Sequence, residues 1–495
     1  MQQLTGLDAS FIYLETPNAP LHVFSVYIYD QSTAPGGKVT FKGILDHVRN
    51  RLHISRTFRQ KLVQVPFGLD HPYWIKDPNF DLEYHIRHIA LPKPGDWRQF
   101  CIQVARLHSR HLDLNKPLWE MYVIEGLDNI EGLPPGSFAI MNKTHHAAID
   151  GVSLIEITSA IHDKSPEATP PLPTEEWKPD AEPEPWELVT RAAWNNTTRP
   201  FRFLELLART TPRMQQLREQ LQRPEFGVPQ GPAPRTRFSG NVTTHRVVEA
   251  RRFSLDMARR IKSAVPGATV NDVAVAVVGG ALRNYLLEKG ELPSESLRAV
   301  LPISIRTSEQ AGTAGNQVSA MVALLRTDIE DPKQRLAAVR ESTHTSKAFS
   351  EATGARDLVQ FSEFLPGGLT ALAARAVSQY EMATRIMPVT INTIVSNVPG
   401  PQVPLYMAGA RMVTYFGGAG VVNGMGLLHG VTSYCGQLIM SVVSCREIMP
   451  DPGHYGDLLE ESFQEMAAAT GAAKPAAAAQ ISPSPGRRRP VRSVP

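Results

Sequence analysis

Apolar and polar positions along the chain form two stretches of mixed strand-like and helix-like pattern, separated by a segment that has neither. In the first stretch, Phe24–Tyr29 is rich in β-branched and aromatic residues and predicts a strand. Ile44–Leu52 and Phe100–His111 carry helical periodicity, and Met121–Ile124 and Phe138–Met141 predict two more strands. In the second stretch, Asn271–Tyr285 predicts a helix of small apolar residues, buried on most sides. Ala299–Ile305, Ile391–Ser396 and Leu438–Val443 read as strands. Between the two stretches, prolines 166, 170, 171, 173, 179, 183 and 185 fall among acids and two tryptophans, which predicts an extended linker.

This pattern divides the chain into residues 1–163, a linker and helical segment at 164–235, a second unit at 236–470, and a tail at 471–495. The two large units have similar element content and no repeat of fixed period. Leu188–Leu221 is helical in pattern, broken at Pro200 and Pro212. There Arg199, Arg202, Arg209, Arg213 and Arg218 alternate with bulky apolar residues. Two readings fit: a helix packed across both units with a solvated basic side, or a helix lying on an anionic membrane. The Ala- and Pro-rich tail reads as disordered.

Composition narrows the picture. A chain of 495 residues exceeds one ordinary core, which favours two domains. A formal charge of +3 is small at this size and does not point to nucleic acid. Cys101, Cys435 and Cys445 have no paired spacing, which fits a reducing cytoplasm. No apolar run reaches the ~18 residues needed to span a bilayer. The longest, Val273–Leu282, contains Gly279 and Gly280. A signal peptide is not expected from the polar, acid-containing start.

The candidate chemistry lies at His145–Gly151, HHAAIDG. The apolar run Phe138–Met141 leads into it, and Val152–Ile157 follows as the start of a helix, so the histidines fall where a strand ends. Such strand ends commonly present catalytic groups. A positioned histidine can take and return a proton near neutral pH. A metal site is disfavoured, because adjacent strand residues face opposite ways and no HExxH or CxxC accompanies the pair. No GxSxG is present, so a serine acyl-enzyme lacks support. Gly424–Gly430 is glycine-rich but lacks the strand–helix context of a dinucleotide site.

HHxxxDG resembles the signature of the CoA-dependent acyltransferases of the chloramphenicol-acetyltransferase-like superfamily. Further segments, in order, narrow the resemblance to the bacterial wax ester synthase/acyl-CoA:diacylglycerol acyltransferase family. They are Leu7–Phe11 with Glu15, Pro20–Val23, Asp81–His88, Pro117–Glu120 (PLWE), Asn271–Asp272 (ND) and Ser396–Pro401 (SNVPGP). The resemblance covers the chain to about residue 470. It implies an α/β (α+β) fold of two chloramphenicol-acetyltransferase-like domains with mixed sheets and an active-site tunnel between them.

It also implies the chemistry and the residues. Acyl-CoA is the co-substrate, with no other cofactor, and diacylglycerol or a long-chain alcohol is the acceptor. His146 is the general base, with direct attack, and His145 supports the turn. Asp150 pairs with an arginine, for which Arg306 is the candidate, and Gly151 allows a close approach. Asn271 is either a donor near the reacting carbonyl or a helix N-cap, Asp272 is structural, and Asn397 shapes the tunnel wall or the CoA side. Pro117–Trp119 reads as core. The expected location is cytoplasmic, with peripheral contact to the inner membrane or lipid droplets. Two rival readings stay open: a condensation-like acyltransferase with another alcohol or amine acceptor, and a non-catalytic lipid-binding protein of the same fold.

Overall fold

The computed structural model describes residues 1–149, 153–167, 172–173, 177–198, 231–304, 318–352 and 388–473. Two six-stranded mixed sheets dominate it, with a small third sheet beside the first. The strands in chain order are β1 (Gln2–Gln3), β2 (His22–Asp30), β3 (Gln60–Val63), β4 (Tyr73–Lys76), β5 (Ile86–Ala90), β6 (Trp119–Glu125), β7 (Phe138–His145), β8 (Arg246–Ser254), β9 (Arg298–Ser304), β10 (Val318–Leu324), β11 (Thr393–Pro399), β12 (Tyr406–Met407), β13 (Ala410–Gly418), β14 (Leu427–Tyr434) and β15 (Gln437–Cys445).

The first large sheet has the order β12-β13-β2-β7-β6-β5 and the second β10-β9-β11-β14-β15-β8. Only β5–β6 is parallel in the first, and β9–β11 and β11–β14 are parallel in the second. The strand order crosses the division read from the sequence. Residues 406–418 come from the second stretch, yet they complete the first sheet, with Arg411 opposite Asp30 and Gly418 opposite Phe24. The linker is also less detached than its prolines predict. Asp180 donates its backbone N–H to the Lys76 carbonyl, Lys61 pairs with Glu182, and Arg59 stacks over Trp177 at 3.8 Å. Residues 185–198 are helical.

Caps set the helix starts, and they lie upstream of the apolar periodicity. The helix expected from Ile44 begins at Phe41 under Thr40, whose side chain accepts from Gly43. The one expected from Phe100 begins at Trp97, where Asp96 and Gln99 form a reciprocal capping box. The long helix Val270–Glu288 begins under Thr269, with Asp272 completing its box. That helix is the core of the second unit. An added Cβ at Gly279 would lie 2.1 Å from the Leu325 carbonyl oxygen, and one at Gly280 would lie 2.2 Å from Ser462 Oγ. The glycine pair therefore permits close packing of two neighbouring segments. No helix among the described residues is long and apolar enough to cross a membrane.

The two sheets touch where β13 meets β14. A Cβ at Gly430 would lie 2.4 Å from the Gly417 carbonyl oxygen, and Ser441 Oγ donates to that same oxygen. The helix Trp97–His108 also bridges the halves, with the Trp97 indole donating to Glu249 of β8.

Candidate active site

His145 is the last residue of β7, opposite His22 on β2, and His146 opens the single 3₁₀ turn that follows. Two backbone bonds pin this junction: His145 N–H to the Leu118 carbonyl at 2.9 Å, and His146 N–H to the Leu21 carbonyl at 3.0 Å. Leu118 and Trp119 of the PLWE segment are buried, and the Trp119 indole donates to the Phe58 carbonyl. The PLWE segment is therefore core that supports the junction.

The two histidines differ in environment. His145 is fully buried, and its Nδ1 accepts the Ala147 N–H at 3.1 Å. A neutral imidazole that accepts at Nδ1 carries its proton on Nε2. That Nε2 lies 3.6 Å from Glu15 Oε2. The His146 ring is half-buried and stacks on Phe11, with centroids 3.8 Å apart and planes at 14°. Its Nδ1 is buried, with its own backbone carbonyl as the nearest polar group. Burial lowers the His146 pKa to about 4, aided by the adjacent His145. His146 is therefore neutral at pH 7 and able to accept a proton.

Glu15 ties the turn to the N-terminal segment. It accepts the Leu21 N–H at 3.0 Å, and its Oε1 lies 3.3 Å from His111 Nδ1. Burial alone would raise its carboxyl pKa, but His111, His145 and the Leu21 N–H hold it well below the usual carboxylate range. The carboxylate in turn raises the His111 pKa.

A second buried set lies behind the pair. His22 Nε2 donates to the His108 carbonyl at 2.7 Å, and the two rings meet edge to face at 5.3 Å. Burial pushes both imidazoles well below their ordinary range. Two residues before His145, the buried Lys143 ammonium lies 2.9 Å from Glu120 and donates to the carbonyls of Leu107 and Arg110. Burial lowers the Lys143 pKa. Burial would raise that of Glu120, but Lys143 and Tyr122 hold it down. The pair fixes the strand that carries the histidines; a buried charge without its partner costs several kcal/mol.

A cavity of about 440 Å³ opens between the sheets. Val23–Ser25 of β2, the end of the helix Ser153–Ile161, Ser396 and Val398–Pro401 of the SNVPGP segment, and Gly417–Ala419 line it. His162 lies in its wall as a neutral imidazole. It donates from Nδ1 to the Thr158 carbonyl and accepts the Tyr29 hydroxyl at Nε2, and burial lowers its pKa to about 4. His146 is not among the residues that line this cavity.

Asn271 and Asn397 come together, with the Asn397 side-chain amide donating to the side-chain Oδ1 of Asn271 at 3.0 Å. Asn271 is not an N-cap, because Thr269 fills that role and Asn271 is the second helical residue. Asp272 accepts from Thr269 and Thr343, as a structural residue does. Asn397 lies inside β11, which runs on to Pro399, and not in a turn after a strand that ends at Ser396. Gly430 of the glycine-rich piece is within β14, and no helix follows that strand before β15.

Asp150, Gly151 and Arg306 lie outside the described residues, as do residues 199–230 of the basic helical segment and the tail after residue 473. Among the described residues no three His, Cys, Asp or Glu side chains are grouped to hold a metal ion. The sequence reading missed the pairing of Glu15 with His145 and His111. The signal was present only as Glu15 in a motif block, because no spacing links positions 15, 111 and 145.

Comparison with known proteins gives a consistent result. The catalytic domain described as wax ester synthase/diacylglycerol acyltransferase matches residues 4–274, and the C-terminal domain of the same family matches 314–467. A provisionally named diacylglycerol O-acyltransferase of Mycobacterium tuberculosis is 33% identical over 476 residues, covering 94% of this chain and 90% of that protein. The solved wax ester synthase/diacylglycerol acyltransferase of Marinobacter aquaeolei is similar at a TM-score of 0.68 and 26% identity, covering 95% of this chain and all of that one. The trichothecene 15-O-acetyltransferase of Fusarium sporotrichioides shares the fold, with a TM-score of 0.57 at 11% identity over 94% of this chain and 95% of that one.

Proposed function

This chain belongs to the wax ester synthase/diacylglycerol acyltransferase family, and from that membership we propose that it moves a long-chain acyl group from acyl-CoA to the free hydroxyl of diacylglycerol, forming triacylglycerol. The observation that carries the mechanism is His146: a neutral imidazole, on a turn braced by His145 and Glu15. The acceptor hydroxyl loses its proton to His146 Nε2 as its oxygen attacks the thioester carbonyl. The tetrahedral intermediate collapses with cleavage of the carbon–sulfur bond. The CoA thiolate leaves readily, because a thiol has a pKa near 8.5, and it takes the proton back from the imidazolium. No acyl-enzyme is required.

His145 acts as a positioning residue, because its Nδ1 is committed to the turn and its Nε2 faces Glu15. The Asn271–Asn397 pair stands at the helix–strand junction as the candidate for contact with the reacting carbonyl or the CoA side. Long-chain alcohol is a second acceptor, on the strength of similarity to the Marinobacter wax ester synthase. Since the acceptor is a membrane lipid, the reaction is placed at the cytoplasmic face of a membrane or lipid droplet.

The test is release of free CoA from palmitoyl-CoA by the purified protein, with diacylglycerol or hexadecanol, beside His146→Ala. Acceptor-dependent release that vanishes in the variant supports the reading and ranks the two acceptors. No release with either acceptor would overturn it.

A further inference from the structure

A second cavity, of about 360 Å³, lies between the helix Trp97–His108 and the start of β8. Arg98, Arg106, His245, Arg246 and Arg446 line it, over the buried Cys101, and no carboxylate is among its lining residues. Arg98, Arg106 and Arg446 are exposed, and none forms an ion pair among the described residues. The nearby Glu447 is taken by His245 and Thr243. Arg246 is 5% exposed at the base. Its guanidinium donates to the carbonyls of Thr243, Asn18 and Val421, while its Nε is buried with no partner.

Four guanidinium groups around one hollow repel one another unless an anion joins them. Arginine forks suit phosphate oxygens, and a doubly charged group balances more of this charge than a carboxylate does. The Arg246 bond to Asn18 also ties the base of the cavity to the segment of Pro17, whose carbonyl accepts from His111, the partner of Glu15. The site shares no lining residue with the cavity already described.

We propose that this cavity is a binding site for a phosphate monoester. Two ligands carry that group: CoA, through its 3′-phosphate, and phosphatidate, through its headgroup. The CoA arm rests on the acyl-transfer reading; the phosphatidate arm does not.

The test compares wild type with Arg98→Ala/Arg106→Ala, whose side chains are exposed and remote from the core. Calorimetric titration uses CoA against 3′-dephospho-CoA, and flotation uses phosphatidylcholine vesicles with and without phosphatidate. Wild type should prefer the monoester member of one pair by tenfold or more, and the double variant should lose that preference. Preference within the CoA pair assigns the soluble source, and preference within the vesicle pair assigns the lipid. Equal binding within both pairs by wild type, or a preference unchanged in the variant, overturns the site. Transfer from palmitoyl-N-acetylcysteamine, which has no phosphate, should be the same in both proteins. Its absence in both would count against the acyl-transfer reading and leave the binding result standing.

Discussion

Glu15 Oε2 lies 3.6 Å from the Nε2 of His145, and the other nitrogen of that ring holds the turn that presents His146. The carboxylate thus reaches His146, the base in the proposed mechanism, through an intermediate ring. Glu15→Gln keeps an acceptor but removes the charge. It should lower kcat about tenfold, the equivalent of one charge-assisted hydrogen bond of ~1.4 kcal/mol. Glu15→Ala should cost more. Both should leave KM for acyl-CoA near wild type, and a selective rise in KM would argue against a positioning role.

His146→Ala should lower kcat/KM by roughly 10²–10⁴, the usual worth of a general base. The ring is half-buried and its main apolar partner is Phe11, so the loss of stability should be modest beside the loss of rate. Circular dichroism melts beside CoA-release kinetics check this. A variant that loses stability and activity together would point to a structural histidine.

Acid should act on rate and stability in different windows. His146 titrates at about 4 in the folded protein, so kcat/KM should be flat from about pH 5 upward and fall below it. For stability, the folded-state values of His146 and His162, both about 4, lie below the unfolded value near 6.5. Between pH 6.5 and 4 the unfolded chain binds more protons, so stability falls as pH falls through that window. Glu15, with its folded value held down, adds a loss below about pH 4.5. Urea midpoints at pH 7.5, 5.5 and 4.5 should decrease in that order, and a constant midpoint would contradict these environments.

Gly430→Ala should destabilise the protein by roughly 1–3 kcal/mol, because the new methyl group meets the Gly417 carbonyl across the junction of the sheets. The denaturant midpoint should drop. An unchanged midpoint would mean that the sheets separate easily there.

Asn271→Ala and Asn397→Ala should show a coupling of about 0.5–1.5 kcal/mol in a double-mutant cycle of stability, the worth of their shared hydrogen bond. Loss of kcat beyond that in Asn397→Ala would assign it a contact with the reacting group.

Periodicity revealed the strands and long helices because burial on one face leaves a repeat in the chain. Helix starts were displaced, as at Phe41 and Trp97, because Thr40 and Asp96 set them through single side-chain bonds that no apolar pattern records. The HHxxxDG histidines were legible because one turn holds both. Glu15 and His111 were not, since their meeting with His145 depends on tertiary packing of three separate elements. Of the two roles open to Asn271, the cap is excluded locally, because Thr269 holds that place with Asp272 closing the box.

The strand Ala410–Gly418 gives the first sheet a late-arriving member. During synthesis, β2 leaves the ribosome early, and its outer row of N–H and C=O groups has no cross-strand partner until almost the entire polypeptide has emerged. Until then the nascent first half carries an open sheet edge, the kind of surface to which chaperones and other nascent chains attach. A message truncated after the linker would therefore release a sticky fragment bearing the histidine motif, with no independent enzyme in it.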